Sequence, residues 1–142
     1  MNELLIVKLW ALVDTFDARL TLELKALDLT VSTFRLIGEV MSEPDGIRQN
    51  ELARRLRVRA PTISAAVSRL EERGLVMREQ DPDDPRAWRI KLKPDAPLQP
   101  GADLLGRMDQ ELTSTLDASE RDLLLQSIAM LTERLQAPKE SL

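Results

Sequence analysis

The chain has no cysteine, no histidine and no tyrosine. Without cysteine there is no disulfide, no thiolate zinc site and no thiol redox sensor. Without histidine the commonest general base and the commonest metal ligand are missing. Chemistry through carboxylates, or through serine with lysine, stays open. Those groups, however, are scattered over amphipathic segments, and no nucleophile elbow, P-loop or GxGxxG motif occurs. We therefore expect a protein that is not an enzyme, with no catalytic residues, no metal and no cofactor. No apolar run reaches the roughly 18 residues that span a bilayer, so no membrane partner is expected. The N-terminal MNELLIVKLWALVDTF is apolar, yet it carries Glu3 and Asp14, lacks a basic start and offers no small-residue cleavage site. It reads as a helix of the mature protein, and a cytoplasmic location is expected.

What is present is an uneven charge. The 142 residues carry a formal net charge of −4, which argues against a general nucleic-acid coat. Between Ile47 and Lys93, however, ten Arg and two Lys stand against seven acids, an excess of five, leaving −9 for the flanks. A basic segment between acidic ones is expected where one part of a protein meets phosphate and the rest does not. Chance clustering on a solvated face would give the same count, so charge alone does not decide.

Apolar periodicity orders the chain. Leu5, Leu9, Leu12, Phe16 and Leu20 step by three or four and predict a first helix running to about Leu27. Thr30 is placed to cap a second helix with Val31, Phe34, Ile37, Val40 and Met41 as its buried stripe, ended by Glu43-Pro44-Asp45-Gly46. A short third helix follows from about Arg48 to Leu56, with Leu52, Ala53 and Leu56 inward. A fourth runs from about Ala60 to Arg73, with Pro61 in the first turn, where its absent N–H costs nothing, and Gly74 at the C-terminal cap. The period then changes to two. Leu75 to Gln80 and Arg86 to Lys93 read as strands around the turn-rich tip Asp81-Pro82-Asp83-Asp84-Pro85. Pro94, Pro97 and Pro100 predict an irregular break. A fifth helix carries Leu104, Leu105, Met108, Leu112 and Leu116. Asp117 with Glu120 gives the capping-box spacing for a sixth, with Leu124, Ile128, Leu131 and Leu135.

Helix, tight turn, helix, hairpin is the order of a winged helix-turn-helix. The expected fold is mainly α, a winged helix-turn-helix with a two-stranded wing and helices appended at both ends. The DNA major groove admits one α-helix. With Ile63, Val67 and Leu70 inward, about 100° per residue turns Pro61, Ser64, Ala65, Ser68 and Glu72 outward, with Thr62 and Arg69 on the shoulders. Those side chains are mostly small, so the helix can approach the groove floor. Arg48, Arg54, Arg59 and Arg89 are further DNA-binding candidates; Arg48, Arg54, Arg55, Arg57 and Arg59 together are a mixture, some contacting phosphate and some simply solvated. An ordinary surface helix remains the competing reading of the fourth helix taken alone.

The runs Glu51-Leu52-Ala53-Arg54-Arg55-Leu56, Pro61-Thr62-Ile63-Ser64 and Arg69-Leu70-Glu71-Glu72-Arg73-Gly74-Leu75-Val76 resemble the MarR family of bacterial regulators, as does the wing Asp81-Pro82-Asp83-Asp84-Pro85-Arg86-Ala87. The resemblance implies a homodimer in which the first, fifth and sixth helices of both subunits interleave. It divides the chain into a dimerisation helix at 1–29, a DNA-binding domain at 30–93 and dimerisation helices at 94–142. It implies double-stranded DNA as partner, bound at a pseudo-palindromic operator, with the fourth helix in the major groove and Arg86, oriented by Asp84, in the minor groove. Repression relieved by a small organic effector is the usual outcome. Trp10, Phe16 and Phe34 are candidates to line the effector's pocket, with core packing as the alternative; Trp88 is expected to pack the wing against the helices. Two other readings stay open: an effector-independent winged-helix DNA binder, and a helical dimer acting through protein contacts. In the family's pattern a serine caps the fourth helix. Arg59 stands there instead and cannot accept an N–H bond.

Overall fold

The structure, a computed structural model, describes residues 3–139. Six helices and three short strands follow in the order α1 (Leu5–Leu24), α2 (Val31–Met41), β1 (Ile47–Arg48), α3 (Gln49–Leu56), α4 (Ala60–Glu72), β2 (Val76–Gln80), β3 (Trp88–Leu92), α5 (Gln99–Thr113) and α6 (Ala118–Gln136). A single 3-10 turn, Lys25–Leu27, continues α1. The chain falls into two compact units, residues 1–101 and 102–142. No helix among the described residues is long and apolar enough to cross a membrane.

The first unit is a winged helix-turn-helix built on one apolar cluster. Leu36, Ile37 and Val40 of α2 meet Leu52 and Ala53 of α3, Ile63, Val67 and Leu70 of α4, and Ile47, Leu75, Val76 and Ile90 from the sheet. Local signals start and stop these helices where physics requires. Thr30 Oγ1 accepts from the Thr33 N–H at the start of α2. Pro sits in the first turn of α4, and no side chain caps that helix, as Arg59 at the N-cap predicts. Gly74, at φ +73°, releases the chain into β2. The turn between α3 and α4 begins with Arg57 in the left-handed region, φ +55°.

The expected two-stranded wing of β2 and β3 is present, and β1 joins it in an antiparallel sheet of order β1-β3-β2, because Ile47 and Arg48 pair with Ile90 and Arg89. Two expectations are corrected. Met41 lies outside the core at 47% exposure, and Leu36 takes its place. Trp88 is 45% exposed and so does not lock the wing onto the helices. Gly46, just before β1, has φ +100°, and a Cβ there would stand 2.5 Å from Cγ and 2.6 Å from Cδ of Arg89.

In the second unit α6 begins with the full capping box: Asp117 accepts from the Glu120 N–H, and the Glu120 side chain accepts from the Asp117 N–H. No residue of α6 is buried. Leu123, Leu124, Leu125, Ile128, Met130, Leu131 and Leu135 are all exposed, as are Leu5, Ile6, Val7, Leu9, Trp10, Leu12 and Val13 of α1 in the first unit.

Candidate nucleic-acid interface

Helix α4 carries the candidate surface. Ile63, Val67 and Leu70 anchor it in the core, while Pro61, Thr62, Ala65 and Arg69 are exposed. Ser64 and Ser68 are half-buried. They lie on the flank of the helix that faces Arg78 of β2. Arg78 Nη1 donates to Ser68 Oγ (3.0 Å) and to Glu71 Oε1 (2.6 Å), and Nη2 donates to the Ser64 carbonyl (2.8 Å) and to Ser64 Oγ (3.3 Å). Nε donates to Gln49 Oε1 of α3 at 3.1 Å. Three elements therefore meet on one guanidinium, whose side chain is only 17% exposed.

The opposite face of the sheet carries a second cluster. The register places Arg78, Ile90 and Ile47 on the helix side, and Arg48 and Arg89 on the other. Both of these arginines converge on Asp81, whose side chain is fully buried. Arg48 Nε and Nη2 donate to it at 2.9 and 3.1 Å, and Arg89 Nη2 at 3.0 Å. The Asp83 and Asp84 N–H groups complete the shell at 2.9 and 3.2 Å. The Arg48 hydrogen bonds first, then the Asp83 N–H, hold this carboxyl far below the ordinary carboxylate range. Asp81 thus ties the tip ends of both wing strands to β1.

A third cluster joins α2 to α3. Arg55 donates to Glu43 (2.9 Å), Glu51 (3.2 Å) and Glu39 (3.4 Å). Arg54, exposed on α3, pairs with Glu51. The Glu51 carboxyl is lowered to about 2 by hydrogen bonds from Arg54 and then Arg55.

Those pairings sort the sequence-predicted arginines. Arg48, Arg54 and Arg89 hold carboxylates within the fold. Arg59, Arg69 and Arg86 are exposed, as is Arg57, and none of the four has a side-chain partner among the described residues. Arg86 stands at the hairpin tip. Asp84 is bonded to it differently from expectation: Asp84 Oδ1 accepts from the Arg86 backbone N–H at 3.0 Å, so it shapes the turn and leaves the guanidinium unheld. The exposed face of α4, the free cations at its start and on its shoulder, and the free cation at the wing tip all belong to one unit.

On the other flank of α4 lies a cavity of about 180 Å³ between α2 and α4. Leu36, Leu56, Ile63 and Ala66 give it an apolar floor, and Arg35 and Arg69 stand at its wall with the hydroxyls of Thr33 and Thr62. Trp10, Phe16 and Phe34 do not line it. Trp10 is 62% exposed on α1, Phe16 is half-buried, and Phe34 Cε2 lies 3.2 Å from where a Cβ on Gly101 would be.

Residues 27–87 match the model of the MarR family. The chain superposes on a crystal structure of MarR with a TM-score of 0.78 at 27% identity, over 94% of this chain and 92% of that one. A mutant MarR from E. coli gives 0.73 at 25% identity, over 93% and 99% of the two chains. The S. aureus MepR–DNA complex gives 0.75 at 24% identity, over 94% and 100%. This chain has the winged-helix fold of those regulators, and its elements fall in the order read from the sequence.

Sequence reasoning missed Asp81, Arg78, Glu71 and Gln49. An Asx-turn signal was present at Asp81, whose side chain accepts from the N–H groups two and three residues on. Its arginine partners, up to 33 residues away, left no local trace. The buried carboxylate makes a pH prediction. Its folded pKa is depressed, so its contribution is fully present above the unfolded value near ~3.9 and is lost as pH falls below it. Asp81→Asn should lower the thermal midpoint by several degrees at pH 7, and the gap to the parent should narrow steadily below about pH 4. Thermal melts of both proteins from neutral to acid pH check this; a gap that stays constant down the acid limb refutes it.

Proposed function

We propose that this protein is a sequence-specific DNA-binding repressor, acting as a homodimer in the cytoplasm on a pseudo-palindromic operator, and released by a small organic anion. The observation that carries the DNA reading is the division of the arginines. The fold pairs off Arg48, Arg54, Arg55, Arg78 and Arg89, and leaves Arg57, Arg59, Arg69 and Arg86 free around one helix of small exposed side chains and its wing tip. Free guanidinium groups beside a groove-sized helix suit phosphate and narrow minor grooves. A protein of the same fold, S. aureus MepR, is known as a DNA complex, which supports the same partner here. The exposed apolar residues of α1 and, separately, of α6 support the dimerisation helices at 1–29 and 94–142, because a helix that turns this many large apolar side chains to solvent usually buries them against a partner.

The cavity beside α4 supports the effector. Its volume of about 180 Å³ suits one ring-sized molecule, its floor is apolar, and Arg35 and Arg69 favour a carboxylate. Arg69 is also a shoulder cation of the DNA-facing helix, so an anion there competes with phosphate for the same guanidinium. Nothing in this mechanism calls for catalysis.

Selection of bound duplexes from a random pool tests the proposal. An enriched sequence should be an inverted repeat with half-sites about one helical turn apart. Inserting five base pairs between the half-sites should abolish tight binding, and small aromatic acids should weaken binding to the intact operator. Unchanged affinity after the insertion refutes the two-fold docking. Failure to enrich any duplex favours action through protein contacts.

A further inference from the structure

The hydroxyls of Ser64 and Ser68 are the obvious base-reading groups on α4, yet the structure assigns them another task. The single hydroxyl proton of Ser68 donates to the Ser64 carbonyl at 3.0 Å, and its oxygen already accepts from Arg78. Ser64 Oγ also accepts from Arg78. A hydroxyl has one proton and two lone pairs, so Ser68 keeps at most one weak acceptor for anything outside. Both side chains are half-buried on the flank of α4 that meets β2, and the helix face turned to solvent is left to Pro61, Thr62, Ala65, Arg69 and Glu72.

We propose that Arg78 is a positioning residue that sets the angle of α4 against the wing and α3, and that Ser68 affects DNA binding only through it. The inference rests on the DNA-binding reading above. Its physical content is the guanidinium fork. Nε, Nη1 and Nη2 leave in three directions of one plane and reach Gln49 of α3, Ser68 with Glu71 of α4, and the Ser64 turn of α4. A planar group with fixed donors ties three elements at defined angles, which the point charge of lysine does not do. The ion pair with Glu71 holds the last turn of α4, and the bond to the Ser64 carbonyl holds its second. The helix cannot roll about its axis without breaking bonds on this side, and its other flank adjoins the cavity between α2 and α4. Recognition of base edges depends on that roll, whereas attraction to phosphate does not. Arg78 therefore governs specificity and contributes nothing to the counterion count.

A double-mutant cycle with two duplexes tests this. The enriched operator and a scrambled duplex are titrated at several salt concentrations with the parent, S68A, R78M, R78K and S68A combined with each Arg78 variant. Circular dichroism and sedimentation verify that each variant is folded and in the parent's oligomeric state; R78K, which keeps the charge opposite Glu71, carries the test if R78M does not fold. Operator affinity should fall about tenfold in R78K and further in R78M, with scrambled-duplex affinity and the slope of log K against log salt unchanged. S68A alone should cost a few-fold, and nothing more once Arg78 is replaced, because both act through one contact. Losses that multiply, or a shallower salt slope in an Arg78 variant, would place Ser68 or Arg78 on the DNA itself and overturn the inference while leaving the DNA-binding reading intact. A parent that binds no duplex overturns both.

Discussion

Replacing Arg86 with alanine should cost operator affinity about thirtyfold, taking ~1 kcal/mol for each of the two wing contacts that a dimer would lose. The salt dependence should change with it. Two cations leave the interface, so the slope of log K against log salt should become shallower by up to ~1.8, at ~0.9 per phosphate-equivalent contact. The structure makes this substitution clean. The guanidinium has no partner among the described residues, and the Asp84 carboxylate holds the backbone of the turn, which alanine retains. Stability should therefore be unchanged. The loss should also depend on the sequence beside the operator, being larger with A·T-rich flanks, where the narrow minor groove concentrates negative potential. Titrations at several salt concentrations on duplexes with A·T- and G·C-rich flanks check this. Equal affinity and equal slope in parent and variant would take the wing out of the interface.

Leu52→Ala is the largest stability effect expected. Leu52 is wholly buried at the centre of the cluster where α2, α3, α4 and the sheet meet. Truncation removes the transfer free energy of its side chain and leaves a cavity that surrounding helices fill only in part, for a loss of ~3–5 kcal/mol. Domains of this kind are stable by ~5–15 kcal/mol in all, so a large share would go. The midpoint of urea unfolding should fall with little change in slope, since the surface exposed on unfolding is almost the same. A shift worth less than ~1 kcal/mol would mean that the site collapses around the alanine more completely than packed interiors do.

The parts of the fold that were legible in the sequence are those with a local cause. Pro61, the inward positions Ile63, Val67 and Leu70, and Gly74 delimit α4 to within a residue. The alternation from Trp88 to Lys93 marks β3, and Asp117 with Glu120 marks the start of α6. What escaped has a non-local cause. β1 is two residues long, too short for alternation to register, and exists only through its pairing with β3. The helical wheel turns Ser64 and Ser68 outward with Ala65; the fold half-buries both against Arg78, 14 residues from Ser64 and 10 from Ser68. In the same way Arg48, Arg54 and Arg89 look like phosphate ligands in a charge count, and only the fold reveals the carboxylates that occupy them.

Gly46 links this hidden wiring to how the sequence can drift. It is a loop residue with no chemistry of its own, yet Arg89 passes through the space where any other side chain would begin, and Asp81 pins Arg89 there. Position 46 therefore has the mutational tolerance of an interior residue although it lies near the surface. Shortening position 89 would clear that space and release one of the two guanidinium groups that keep Asp81 charged, yet at φ +100° a larger side chain would still be strained. Position 46 is thus closed twice, by its own backbone and by the arginine that Asp81 holds against it.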